Sequence, residues 1–306
     1  MSYNLHFILV LFFCTLLISV PLHGQEKRKV FLDADTANEI DDLYAISRAL
    51  IEPSWEITTL SAAHWQTSLW AEPQSMELSH RINNVLVGHL GLPIKTRRGA
   101  PARMYDWGYQ ARHSAAAYEI INQVKELPEG EKLTVVSLGA LTNIASAVYI
   151  EPSIASKIVS YSYGTGYDPD QDLITITDFN CMMDMQALFY MFNSDVEMHI
   201  MPGQLGALME FEYATLETEL RGTHTLGDYL VDRWYNHLDG LRKKRWIWDL
   251  SLIGAMIHAE SSNEIEVMTP KNMGARTVFY YSEIDADKIM TDFYDTMTQY
   301  LKELKP

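Results

Sequence analysis

Short β-rich runs alternate with helical patterns along most of this chain, and that alternation limits the folds open to it. The runs are KVFLD (29–33), EITTLSA (56–62), LTVVSLG (133–139), KIVSYSYG (157–164), VEMHIMP (196–202) and ARTVFYYSE (275–283). Between them, DDLYAISRALIE places Leu43, Ile46, Leu50 and Ile51 on one helical face, and SAAAYEIINQVKEL places Tyr118, Ile121, Val124 and Leu127 on another. Strands separated by helices of this kind build βαβ units, so an α/β fold with a mostly parallel open sheet flanked by helices is predicted. From about residue 210 to the strand near 278 the pattern turns helical. A helical segment around 208–260 is therefore expected to cap the sheet. No repeat, low-complexity tract or linker interrupts residues 27–306, which read as one domain.

Residues 7–20 form an apolar run of fourteen, short for a spanning helix, followed by PLHGQ and then Glu26-Lys27-Arg28-Lys29. This predicts a signal peptide over residues 1–25 and export, with no stable membrane insertion after cleavage. No lysine or arginine precedes the run, which leaves an uncleaved anchor as the alternative. Of the two cysteines, Cys14 lies in that run, so cleavage leaves Cys181 alone and excludes an internal disulfide. A formal charge of −16 argues against a nucleic-acid or anionic-membrane partner, both of which call for a basic surface.

The most informative segment is Asp33-Ala-Asp35-Thr-Ala-Asn38-Glu39-Ile-Asp41-Asp42. A strand ends at its first aspartates and a helix opens at its last. In open α/β sheets ligands bind beyond the carboxyl ends of strands. So many acids close together need compensation, and a hard cation with oxygen ligands, Ca²⁺ or Mg²⁺, supplies it. Helix-dipole stabilisation of Asp41 and Asp42 with the other acids solvated is the simpler alternative. An EF-hand loop counted from Asp33 fails, because Asn38 and Tyr44 stand where Gly and Glu are required. A haloacid-dehalogenase-type start also follows a strand with Asp-x-Asp, but expects Gly-Thr where Thr36-Ala37 stands.

This cluster resembles the start of the inosine–uridine preferring nucleoside hydrolases, and of their exported branch with Asn-Glu-x-Asp-Asp. Three later segments match in order. They are Ser137-Leu138-Gly139-Ala140-Leu141-Thr142-Asn143, Asp178-Phe179-Asn180 with Asp184 after it, and Trp246-Ile247-Trp248-Asp249. The weaker pair Leu92-Pro93-Ile94 and Arg98-Gly99-Ala100-Pro101 falls between them. The resemblance implies a nucleoside-hydrolase-like fold and hydrolysis of the N-glycosidic bond of small ribonucleosides. It further implies Ca²⁺ held by Asp35, Asp42, Asp249 and the Leu138 carbonyl, with Asp35 also taking a proton from a metal-bound water. Asp41, Asn38, His64, Asp178, Asn180 and Trp248 would then contact substrate. Family members are commonly oligomeric, which leaves a homo-oligomer open.

The chain departs from the family where a histidine precedes the late aspartate, since Trp248 stands there. Indole cannot protonate a leaving base, but it can stack on one. The segment Ala62-Ala63-His64-Trp65 replaces an early asparagine, and Asp178 replaces a glutamate. His64, His113 and His224 are the candidate replacement acids, each set against a structural or surface role. Simpler readings stand beside the other matches. Thr142-Asn143 suits a turn or helix cap, Asp249 suits a cap before an apolar helix, and Cys181 suits the core. The aromatics of 224–248 suit either a lid or core packing.

Overall fold

A computed structural model describes residues 27–68, 72–104 and 110–304. The predicted signal peptide lies outside them. In chain order the elements are β1 (Arg28–Ala34), α1 (Asp41–Leu50), β2 (Trp55–Ala62), α2 (Ser75–Leu90), β3 (Lys95–Arg98), α3 (Ala115–Glu126), β4 (Leu133–Ser137), α4 (Thr142–Ile150) and β5 (Ile158–Tyr163). A small hairpin of β6 (Gly166–Asp168) and β7 (Leu173–Thr175) follows, then α5 (Phe179–Met183), α6 (Met185–Phe192), β8 (Glu197–Met201) and α7 (Gly203–Gly206). The last part comprises β9 (Glu210–Glu212), α8 (Tyr213–Leu220), α9 (Thr225–Tyr235), β10 (Lys244–Trp246), α10 (Leu250–Ile257), β11 (Ser262–Met268), β12 (Thr277–Ile284) and α11 (Ala286–Glu303).

Among the described residues the main sheet has eight strands in the order β11-β12-β8-β5-β4-β1-β2-β3. All its pairings are parallel except β11 with β12. The predicted α/β architecture is thus the one observed. Strand β1 lies in the middle because its run VFLDA is buried on both sides, as a strand covered by helices on both faces must be. Alternation divides its side chains. Val30 and Leu32 join the layer of α1, α2 and the late helices, while Phe31 joins the layer of α3, α4 and α6. Asp33 has the parity of Phe31.

All six predicted strands are present. The sequence reading missed both sheet edges, and for one reason. Strand β3 is Lys-Thr-Arg-Arg and β11 carries Glu264 and Glu266, so neither shows an apolar pattern. Charge on an edge strand deters pairing with other chains, and it hides the strand from a search for hydrophobic runs. The predicted α3 face is corrected at one position. Tyr118 is 43% exposed, and Ala116, Ala117, Ile120, Ile121 and Val124 form the buried side. The late helical segment is present, with β9 and β10 pairing antiparallel inside it.

Chain order reverses beside β1. The chain runs outward through β2 and β3, then resumes on the other side at β4. The gap left at that switch point, beyond the carboxyl ends of β1 and β4, is where such sheets place their ligands.

Candidate active site

A cavity of about 450 Å³ opens at that switch point. Loop residues after β1 supply Asp35, Asn38 and Glu39, the first turn of α1 supplies Asp41 and Asp42, and the turn after β4 supplies Leu138. Tyr163 ends β5, while Asp178, Phe179 and Asn180 lie around the start of α5. Gly203 and Ala207 come from α7 and its end, and Trp248 and Asp249 precede α10.

Two packed helices bring the distant aspartates together. Helices α1 and α10 contact one another, and both begin at the cavity. Asp41, Asp42 and Asp249 each present a carboxylate oxygen, and these oxygens lie within 4.8 Å of one another. Asp249 occupies the N-cap position of α10 but makes no capping hydrogen bond. Its carboxyl instead meets that of Asp42. The cap suggested by sequence is therefore correct in position and absent in chemistry. This triplet contains Asp41, which the sequence reading gave to substrate, and Asp35 is not one of its three members.

Asp35 lies against the same cluster. Burial holds its carboxyl well above the usual range, and the nearby Asp41, Glu39 and Asp33 act in the same direction. Asp42 and Asp249 are raised by burial first and then by their acidic neighbours. Burial followed by Glu39 pushes Asp41 up to about 7, against hydrogen bonds from three backbone N–H groups. Oδ2 of Asp35 and Oδ1 of Asp42 are buried without a hydrogen-bond partner. Buried, mutually repelling carboxyls with orphaned oxygens suit a hard divalent cation, which takes oxygen ligands and removes the repulsion. The donor set of this chain thus fits the implied ion. Gly139 makes the close approach possible, because a Cβ there would meet Asp35 Oδ1 at 3.0 Å and Asp35 Cβ at 3.1 Å.

Asn180 does more than line the cavity. Its Nδ2 donates to the carbonyls of Leu138 (2.7 Å) and Tyr163 (3.2 Å), so one lone pair of the Leu138 oxygen is engaged. The second lone pair remains for a ligand. Asn180 thereby fixes a candidate ligand carbonyl. Asp178 caps α5 by accepting from the Asn180 N–H (2.9 Å), and burial raises its carboxyl. Gly164, at φ +137°, lets the chain turn away beneath Asp178 Oδ1, and Thr165 follows at φ 63°, an αL conformation strained for a β-branched residue.

A second buried polar group stands behind the first. Asn143 Nδ2 donates to both oxygens of Asp33 (3.0 and 3.1 Å), and its Oδ1 accepts from Ala100 N (2.8 Å) and Ser114 Oγ (3.2 Å). Ser61 also donates to Asp33, whose carboxyl burial raises to about 6. Thr142 Oγ1 donates to Asp184 Oδ2 (2.6 Å), which also accepts from Met104 N (2.8 Å). Thr142 and Asn143 are thus spent on tertiary bonds, since Leu141 holds the cap position of α4.

His64 belongs to this inner network and not to the cavity wall, which corrects its placement as a substrate contact. Because Thr142 gives its proton to Asp184, its oxygen accepts from His64 Nε2 (3.0 Å), while His64 Nδ1 accepts from Gln66 N (3.4 Å). Burial, then the charges of Arg112 and Arg103, pushes the ring down to about 4, so it is neutral with both nitrogens occupied. The other two candidate acids are also committed elsewhere. His113 bonds the Tyr118 hydroxyl (2.6 Å), and His224 caps α9 through Leu226 N (3.2 Å). The late aromatics divide between the two readings open in the sequence. Trp234 is buried core, whereas Trp248 lines the cavity with Trp246 tilted against it at 5.6 Å.

Tyr163 and Phe179 escaped the sequence reading as cavity residues. The usable signal was position, since Tyr163 ends a strand two places from β1 on the switch-point side. Cys181 is buried and free, as expected.

A family model described as inosine-uridine preferring nucleoside hydrolase matches residues 30–287. No curated protein matches the chain significantly by sequence. Among solved structures, the purine-preferring ribonucleoside hydrolase from Gardnerella vaginalis is similar at 17% identity and a TM-score of 0.69, covering 90% of this chain and 100% of that one. The inosine-uridine preferring nucleoside hydrolase from Bacillus anthracis has 17% identity and a TM-score of 0.63, with 90% and 100% covered. The type III effector protein XopQ complexed with adenosine diphosphate ribose has 14% identity and a TM-score of 0.68, with 91% and 95% covered. At these identities the structures speak for the fold.

Proposed function

Since the chain belongs to the inosine-uridine preferring nucleoside hydrolase family and is a nucleoside hydrolase, we propose that it cleaves ribonucleosides with a Ca²⁺ ion held by Asp35, Asp42, Asp249 and the Leu138 carbonyl. Asp41 stands within reach of the same ion. The observation that carries this reading is the convergence of Asp41, Asp42 and Asp249, more than two hundred residues apart in sequence, into one buried oxygen cluster with orphaned atoms. When bound, the cation lowers the pKa of a water so that hydroxide is available near neutral pH.

The chain's own residues do the rest. Asp35 takes a proton from the attacking water as general base. Asp178, Asn38 and Asp41 orient the ribose hydroxyls, and Asn180 keeps the Leu138 carbonyl aimed at the cluster. As the C1′–N bond lengthens, the sugar acquires oxocarbenium character. The carboxylates around it stabilise that positive charge more than the neutral ground state, and only such a difference accelerates the step. Trp248 stacks on the base. Export through the segment 1–25 belongs to this proposal.

Incubation with inosine and uridine, with and without chelator, tests it. Free base released with Ca²⁺ and abolished by chelator is the expected result. A Ca²⁺-raised melting temperature without turnover would leave a metal-stabilised binding protein. Cleavage confined to non-nucleoside glycosides would point to another sugar ligand, a reading that the Trp248 substitution favours.

A further inference from the structure

Two kinds of side chain line the cavity. One is acidic, the carboxyl groups of Asp35, Glu39, Asp41, Asp42, Asp178 and Asp249. The other is aromatic, built from Tyr163, Phe179 and Trp248, with Trp246 backing Trp248. Among the described lining residues there is no lysine, arginine or histidine, and the segments 69–71 and 105–109 contain none in the sequence. Tyr163 is held protonated, by burial and then by the negative charge of Asp178, so it offers a neutral ring face and a weak donor. Indole and phenol faces attract cations, and an acidic surround adds to that attraction.

The leaving group meets the same asymmetry. A neutral nucleoside loses its base as an anion, which needs a proton as the bond breaks. His64 cannot give one, because it is neutral and spent on Thr142 and Gln66. A riboside whose base already carries positive charge needs no such donor. Water adds to C1′, the C1′–N⁺ bond breaks with its electron pair going to nitrogen, and the base leaves neutral. The proton of the attacking water passes to Asp35 and then to solvent. The products are ribose, neutral base and one proton.

We infer that this cavity selects ribosides of a quaternised heteroaromatic base, such as an N-ribosylpyridinium, over neutral nucleosides. The inference rests on the hydrolase reading above and adds the substrate class. Trp248 is the lining ring that holds the cationic base.

The test compares nicotinamide riboside with inosine and uridine in the presence of Ca²⁺, following base release and, in weak buffer, proton release. Nicotinamide riboside is expected to show a kcat/KM at least about tenfold higher, with one proton freed per turnover. Binding is read separately by calorimetry with 1-methylnicotinamide and nicotinamide, where the cation is expected to bind about tenfold more tightly. Trp248→Leu should remove that binding preference, and Trp248→Phe, which keeps a π face, should retain most of it. Inosine or uridine cleaved faster than nicotinamide riboside, with 1-methylnicotinamide bound no better than nicotinamide, would overturn the substrate class and leave nucleoside hydrolysis intact. Turnover of none of the three would overturn both.

Discussion

Two groups of buried aspartates lie side by side in this molecule and are treated in opposite ways. Asp33 and Asp184 are surrounded by donors. Asn143, Ser61, Thr142 and backbone N–H groups of Met104 and Ala187 satisfy their oxygens. Asp35, Asp41, Asp42 and Asp249 are crowded against one another, and two of their oxygens are buried without a partner. Burial raises every one of these carboxyls, so burial alone does not distinguish scaffold from site. The distinction lies in whether the fold closes the hydrogen-bond account internally or leaves it open for a ligand.

The largest expected effect is on the open side. Asp35→Asn should lower kcat by about 10²–10⁴ without loss of folding, because a general base is removed while a polar group stays. Steady-state kinetics with a urea titration reads both quantities. An unchanged kcat would place the base elsewhere.

On the closed side, Asn143→Ala should destabilise the protein by on the order of 3 kcal/mol, because it removes the side-chain donor to Asp33 Oδ2 and the acceptor of the Ala100 N–H together. Equilibrium unfolding measures this loss. Ca²⁺ should still raise the melting temperature of that variant, since the cation cluster is untouched.

Asp42→Asn sharpens the contrast through its sign. In chelator it should stabilise the protein, by about 1 kcal/mol, because it removes one of several crowded acids. With Ca²⁺ it should lose the rise in melting temperature. Loss of stability in chelator would mean that the open group is closed by bonds inside the protein.

The closed side is also read through the pH dependence of the inner network. His64 has a folded-state pKa near 4, below its ordinary 6.5, so the unfolded chain takes the proton first on acidification. Its contribution is complete above about pH 6.5 and is lost as pH falls towards 4, with a slope of up to about 1.4 kcal/mol per unit. The raised Asp33 acts in the opposite direction over a similar range. The measurement is therefore the difference between the native chain and His64→Gln in urea unfolding from pH 7 to 4. A difference independent of pH would show that His64 takes up its proton as readily in the folded chain as in the unfolded one.

The sequence by itself determined the βαβ succession, because burial on both faces leaves continuous apolar runs such as VFL in β1, and amphipathic spacing marks α1. It also exposed the acid-rich turn after β1, because the helix dipole accounts for Asp41 and Asp42 but not for Asp33, Asp35 and Glu39 beside them. Its edges stayed hidden, since Lys-Thr-Arg-Arg and Asn-Glu-Ile-Glu are strands only through the neighbours they pair with. Tertiary structure alone decided which acids face which. Asp33 and Asp35 differ by two positions, yet one meets Asn143 and the other the cavity, because β1 ends between them at Ala34. It also decided that His64 is a buried donor and that Asp249 turns from its own helix towards Asp42. Those outcomes depend on helix α10 packing on α1 and on the start of α4 meeting the loop after the second strand through Thr142 and His64, contacts between distant segments that no local pattern encodes.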